Sequence, residues 1–222
     1  MLKKIIIFGT GSHSKVVINE ILKQNIYKIS YFVDQKKNSK KIKVKKKSII
    51  VKSYKNFRWS KFIDKNTFGF VAIGNNYTRK KIVNEVEKKI KNFKWAVIKS
   101  PDALVSKDVK VKPGTLIVTG SVINPGSKIG SHCIINTKSS IDHDNIFEDF
   151  SSCGPGVVTG GNVFLGSLSY IGIGSTILND IKIKANTIVG AKSLVNKNCI
   201  SNSIYYGSPA KKIKKNIKKN YL

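Results

Sequence analysis

Arginine is nearly missing from this chain: of its 41 basic residues only Arg58 and Arg79 are arginine, and the others are lysine. Proteins that read phosphates and base edges favour the bidentate guanidinium. The net charge of +29 therefore does not argue for nucleic-acid binding. Lys, Asn and Ile are overused together, the pattern of a genome-wide compositional drift, and the lysines leave a positive field that concentrates small anions. Cysteine is scarce as well. Cys133, Cys153 and Cys199 form no CxxC pair and leave an odd count, which argues against a disulfide framework or a zinc ribbon and for three small buried hydrophobes. No apolar run nears the roughly 18 residues of a membrane span. The opening Ile5-Ile6-Ile7-Phe8 stops at Gly9, short of the roughly 7–15 apolar residues of a secretion signal. A cytoplasmic protein without stable membrane insertion is expected.

What the chain has in abundance is a repeat of six. From Val105 to Val195, sixteen consecutive positions at a spacing of six run without an insertion, and thirteen are Val, Ile or Leu. Two residues before each lies a second register of small or β-branched side chains, among them Ala103, Thr115, Ser121, Ser127, Ser139, Ser151, Ser169, Ser175, Thr187 and Ser193. Neither a helix nor a simple strand repeats at six. The period describes a short strand, a turn, and the return of the same inward position, and three such hexads close one triangular coil. Sixteen hexads make about five coils stacked at the ~4.8 Å spacing of neighbouring strands, with ends that need capping. Glycines at 114, 120, 126, 130, 154, 160, 166, 172, 174 and 190 are expected at the corners.

The first hundred residues follow another rule. Ile5–Phe8 reads as a buried strand, Gly9-Thr10-Gly11-Ser12-His13 as a glycine turn opening a helix whose N-terminal amides can hold phosphate. Ile29–Val33 is a second strand ending at Asp34, where Rossmann-like units place a ribose-binding acid. Phe68–Gly74, a helix from about Tyr77 to Lys91, and a last strand Phe93–Ile98 complete a small parallel α/β domain.

A histidine with a carboxylate beside it can serve as a general base. His143 lies two residues past the inward Ile141 and is therefore expected to point out of the prism, with Asp144 placed to orient its ring. His132 has no such neighbour and reads as a corner residue.

The hexads resemble those of the hexapeptide-repeat acyltransferases, and Gly207-Ser208-Pro209-Ala210-Lys211 matches the Gly-x-Pro-Ala-Lys ending common there. The turn Gly9, Gly11, His13, Lys15, Val16, Val17 and the segment Ile73-Gly74-Asn75-Asn76-x-x-Arg79 narrow the resemblance. It is to the sialic-acid O-acetyltransferase type, close to the bacillosamine-pathway N-acetyltransferases. This implies an α/β N-terminal Rossmann-like subdomain and a left-handed parallel β-helix, assembled as a homotrimer with the active site between two β-helices. The implied divisions are 1–98 for nucleotide-sugar binding, 99–204 for the β-helix, and 205–222 for an extension and basic tail. The tail reads as a solvated end, with coenzyme-phosphate or membrane-surface contact the alternative.

Asn136-Thr137-x-x-x-Ile141-Asp142-His143-Asp144 is similar to the family stretch whose histidine is the general base. The resemblance thus implies His143 and Asp144 as catalytic, with Gly11, Ser12, His13, Asp34, Asn76 and Asn136 on the substrate. Arg79 reads as a substrate contact or a surface ion pair. Family contacts to the coenzyme fall on Ser152, Gly161, Ile173 and Ala191. Ser152 stands where the family often has a second histidine; a hydroxyl can hydrogen-bond there but cannot carry charge. The implied reaction is acetyl-CoA-dependent N-acetylation of a nucleotide-linked amino sugar for surface glycan biosynthesis. O-acetylation of a sialic acid or related sugar is the alternative. No metal is expected, because the zinc enzymes that share the prism need three histidine ligands and this prism holds only His132 and His143. A non-catalytic scaffold would be revealed by undiminished transfer after mutation of His143.

Overall fold

The structure, a computed structural model, describes residues 2–35, 41–55, 57–64 and 66–217. It opens on β1 (Lys3–Phe8), α1 (Ser12–Gln24) and β2 (Tyr27–Asp34). An antiparallel hairpin β3 (Lys41–Val44) and β4 (Lys47–Ser53) follows, then a short α2 (Trp59–Phe62), β5 (Thr67–Val71), α3 (Asn76–Lys89) and β6 (Lys94–Trp95). The sheet order is β3-β4-β2-β1-β5-β6, parallel except between β3 and β4. Ile5 to Phe8 are all buried, as a central parallel strand covered on both faces requires.

Two differences from the sequence reading have local causes. The β3–β4 hairpin turns through Lys45 at φ 52, a left-handed position that turn rules assign to Asn or Gly. The strand expected at Phe93–Ile98 is split. Lys94–Trp95 closes the N-terminal sheet, whereas β7 (Ile98–Lys99) pairs with Leu116–Ile117 and is the first rung of the prism.

Behind β7 the chain winds as a left-handed β-solenoid of two-residue strands. Each strand pairs in parallel with the strand eighteen residues on, as Leu104 does with Val122 and Val122 with Ser140. Three faces result. The first carries the strands beginning at Ile98, Leu116, Ile134, Ser152, Tyr170 and Ile188; the second runs from Leu104 to Leu194, and the third from Lys110 to Lys182. The inward hexad residues from Ile117 to Val195 form one continuous core, with Val105 and Val111 only partly covered at its open end. The Ser/Thr register is buried inside the corners, where its hydroxyls donate to carbonyls of the next coil: Ser121 to Asn136, Ser127 to Asp142, Ser175 to Gly190. These bonds satisfy backbone groups that would otherwise be buried and unpaired.

The corners correct the expectation for glycine. Every sixth residue from Gly114 to Lys192 has positive φ, but only five of these positions are glycine; the others include His132, Asp144, Phe150 and Leu168. Most of the remaining glycines serve close approach instead. A Cβ at Gly166 or Gly172 would lie 2.5 Å from the amide nitrogen of Ala185 or Ala191, so there the constraint is packing between coils.

The N-terminal domain docks on the first face and on the corner beside it. Leu116 and Ile134 point outward yet are buried, because they join Val17, Ile21 and Ile98 in one core. At the corner, the left-handed residues Phe150 (φ 60) and Leu168 (φ 64) pack into the core of β5, α3 and β6. Bulky side chains in this conformation cost about 1–2 kcal/mol each, which their burial offsets. The far end is capped by Ser203–Gly207, which adds to the first face, and Ala210–Lys215, which folds back antiparallel on it. The basic tail is thus a strand as far as Lys215, with its lysine side chains exposed; the last residues of that tail, 218–222, lie outside the described ones. Among the described residues no helix is long and apolar enough to cross a membrane.

Adjacent residues should report the inward–outward alternation. Ile183→Ala, in the core, is expected to cost about 2–5 kcal/mol, and the exposed Lys182→Ala no more than about 0.5 kcal/mol. Urea unfolding of both variants checks this; equal costs would contradict the assigned register.

Candidate active site

The corner between the second and third faces presents His143. Its side chain is 57% exposed, and Nδ1 lies 2.9 Å from Asp144 Oδ2. Asp144 occupies the left-handed corner position, φ 56, a conformation short acidic side chains tolerate. Its carboxylate sits over Gly126, one coil below, where any Cβ would collide with Oδ1. The imidazole leans over Gly161, one coil above, whose Cβ would lie 2.5 Å from Nε2. Two glycines therefore clear the space in which the pair is held. Asp142 Oδ1 accepts from the His143 amide and from Asn124 Nδ2, which anchors the loop. The hydrogen bond to Asp144 raises the His143 pKa above its ordinary value, and the charges of Asp142 and Asp180 add to it. Three of the chain's twelve acidic residues thus surround one histidine in a protein of net charge +29.

A second group of residues lies between the domains. His13, Gly74 and Asn75 form one wall of a pocket of about 220 Å³, and Ile134, Asn136, Ser152, Cys153 and Tyr170 form the other. His13 Nε2 is buried without a hydrogen-bond partner among the described residues. Burial, reinforced by the charge of Arg79, pushes its pKa down to about 4, so the ring is neutral at pH 7. Gly11 caps α1 without a side-chain bond, which leaves the first turn of the helix, at Ser12, open to solvent. Asp34 lines a separate cleft with Gly9 and Tyr54, and its Oδ2 accepts from both the amide and the hydroxyl of Thr10.

Several candidates fall elsewhere than a simple site would need. Asn76 is buried; its Oδ1 accepts from Arg79 and Ser152, and its Nδ2 donates to the Ser169 carbonyl. Its neighbour Asn75 lines the pocket and caps α3 through the Thr78 amide. The Ser152 hydroxyl is 2% exposed and engaged by Arg79 and Asn76. Arg79, 1% exposed, is neither a surface ion pair nor open to substrate. Ile173 and Ala191 are exposed and stack on the corner between the first and second faces, above Thr137, one corner away from Gly161 and His143. His132 is a buried corner residue, stacked on Phe150 with centroids 5.0 Å apart and edge-on to Trp95. Among the described residues no three His, Cys, Asp or Glu side chains converge as metal ligands.

A small α/β domain fixed to a left-handed prism, with a carboxylate-oriented histidine on an open corner, defines the class: a left-handed β-helix acyltransferase. Residues 4–86 match the PglD N-terminal domain. The acetyltransferase domain of PglB from Neisseria gonorrhoeae FA1090 is similar at 25% identity, TM-score 0.85, over 95% of this chain and 100% of that one. PerB from Caulobacter crescentus, solved with CoA and GDP-perosamine, is similar at 27% identity, TM-score 0.85, over 96% and 99%. WeeI from Acinetobacter baumannii AYE shares the fold at 22% identity and TM-score 0.82, over 94% and 99%. The chain thus resembles, over nearly its whole length, the sugar acetyltransferases of the bacillosamine type.

Replacing Asp144 with Asn should lower the His143 pKa, and Gly161→Ala should displace the ring; both are read by NMR titration of its Cε1 proton. An unchanged titration in Asp144→Asn would show that the pair is not coupled in solution. The buried His13 and His132, lowered to about 4 and about 3, act in the opposite sense. The unfolded chain binds protons near pH 6.5 that the native state refuses, so stability should fall as pH drops from 6.5 toward 4. Urea unfolding at pH 7 and pH 4.5 tests this, and no loss at the lower pH would contradict it.

Proposed function

We propose that this protein transfers the acetyl group of acetyl-CoA to the amino group of a nucleotide-linked sugar, in the biosynthesis of a surface glycan. The observation that carries the reading is the His143–Asp144 pair. Asp144 holds Nδ1, so the other ring nitrogen, over the bare Gly161, is the one that meets a substrate proton. His143 takes that proton as the amine attacks the thioester carbonyl carbon. The C–S bond then breaks, the thiolate leaves and is protonated, and no acyl-enzyme is formed. Asp144 stabilises the imidazolium and keeps the ring in register.

The solved relatives hold the two ligands this chemistry needs: acetyl coenzyme A in the PglB domain, CoA with GDP-perosamine in PerB. Here the amides at the start of α1, with Gly11 and Ser12, suit a diphosphate, and Asp34 suits the ribose. His13 and Asn136 line the path of the sugar. Bare backbone at Gly161 and the corner at Ile173 and Ala191 suit the coenzyme. These parts lie on two different corners of one prism, separated by the width of the second face. Apposing the His143 corner of one chain to the Asn136–Ala191 corner of another completes the site, and a homotrimer does this for three sites at once. The exposed apolar residues Leu104 and Val158 on the face between the two corners favour such an assembly.

Thiol release from acetyl-CoA against a panel of UDP- and GDP-amino sugars, with His143→Ala alongside, tests the reading. One strong amino-sugar acceptor is expected, with turnover reduced about 10²–10⁴-fold in the variant. Silence across the panel, with activity on free or CMP-linked hydroxyl sugars, would move the assignment to O-acetylation. Turnover should fall as pH drops through the His143 pKa, and that limb should move to lower pH in Asp144→Asn. Light scattering should return the mass of three 24.6 kDa chains.

A further inference from the structure

Arg79 spends its guanidinium entirely inside the protein. Nη1 donates to the carbonyls of Ile73 and Gly74, at 3.0 and 2.8 Å, in the loop that follows β5. Nε donates to the His132 carbonyl at 2.8 Å, and Nη2 to Asn76 Oδ1, Ser152 Oγ and the Phe150 carbonyl at 2.6, 2.9 and 3.4 Å. Among the described residues at least six acceptors meet its five N–H donors, which leaves nothing for a ligand. The acceptors divide between the two domains, and that division carries the argument. Gly74 belongs to one wall of the pocket that holds His13, and Ser152 to the opposite wall, beside Asn136. Asn76 adds a second tie, from its Nδ2 to the Ser169 carbonyl at 2.9 Å.

We propose that Arg79 is a positioning residue: one rigid fork grips both walls of the interdomain pocket and sets the gap between His13 and Asn136. The proposal rests on the sugar-nucleotide reading of that pocket. Lysine cannot replace the arginine here, because an ammonium is a single point without the planar fork needed to bond both walls. Ser152 belongs to the same device. Its small hydroxyl accepts from the guanidinium and donates to Asn76 Oδ1, which joins the fork to the prism. The charge of Arg79 also helps hold His13 neutral, which suits an uncharged hydroxyl or amide of the ligand better than a phosphate.

The test uses Arg79→Lys, Ser152→Ala and the conservative Ser152→Thr in the full-length protein. Hydrogen bonds to charged groups are each worth about tenfold. The KM for the nucleotide-sugar should therefore rise about tenfold in Ser152→Ala and more in Arg79→Lys. The KM for acetyl-CoA and the pH limb of turnover should be unchanged, and Ser152→Thr should restore the nucleotide-sugar KM. A purely structural role would instead lower all parameters together with the folded fraction, and that result, or an unchanged KM in variants that melt cooperatively, overturns the proposal. If the wild-type protein accepts no amino-sugar nucleotide, the functional reading fails separately, and amide hydrogen exchange then decides the positioning role. Exchange at Gly74–Asn75 and Ile134–Asn136 should accelerate in Arg79→Lys at temperatures where the protein remains folded. Unaltered exchange would rule the role out.

Discussion

Each coil of the prism takes its backbone hydrogen bonds from the coil eighteen residues away, and nearly everything else follows from that register. Val122 N donates to the Ser139 carbonyl and Ser140 N to the Val157 carbonyl, both at 2.8 Å. Because the repeat never slips, Gly126, Asp144 and Asn162 lie above one another on one corner, and His143 lies under Gly161. The geometry of the His143–Asp144 pair is therefore a property of stacking. A one-residue insertion between Gly126 and His143 would separate the carboxylate from its clearance, and one between Asp144 and Gly161 the ring from its bare neighbour.

The second constraint is the joint between the domains. A prism face is ordinarily polar outside, yet Leu116 and Ile134 are apolar outward residues, and Phe150 and Leu168 accept a strained backbone at the adjoining corner. Their burial against α1, α3 and β6 packs the N-terminal domain directly onto the prism. Arg79 and Asn76 add direction to that apolar contact, since hydrogen bonds to fixed carbonyls specify orientation where hydrophobic contact alone does not.

Charge is distributed against the average. A strongly positive surface attracts anionic nucleotides and coenzyme, while Asp142, Asp144 and Asp180 make the surroundings of His143 locally negative. The two histidines near Arg79 are driven the other way, toward the neutral form, by burial and by its charge. Three identical side chains thus hold two opposite protonation tendencies, set by exposure beside carboxylates or by burial near a guanidinium.

The hexad alone determined the prism, its inward residues and the outward aim of His143, because a period of six has one structural solution and shows in any sequence that keeps it. The α/β start was legible for the same reason, from strands and helices that obey short-range rules. The β3–β4 hairpin was not, since a lysine fills its left-handed turn position and erases the usual signal. Nor were the corner conformations at Phe150 and Leu168, which the docked domain stabilises. Only the tertiary structure decided that Arg79 and Asn76 face inward, that Ser152 belongs to their network, and that Asn75 lines the pocket. Those assignments depend on which carbonyls of coils fifty to ninety residues away come within hydrogen-bond reach, and no local pattern in the chain encodes that distance.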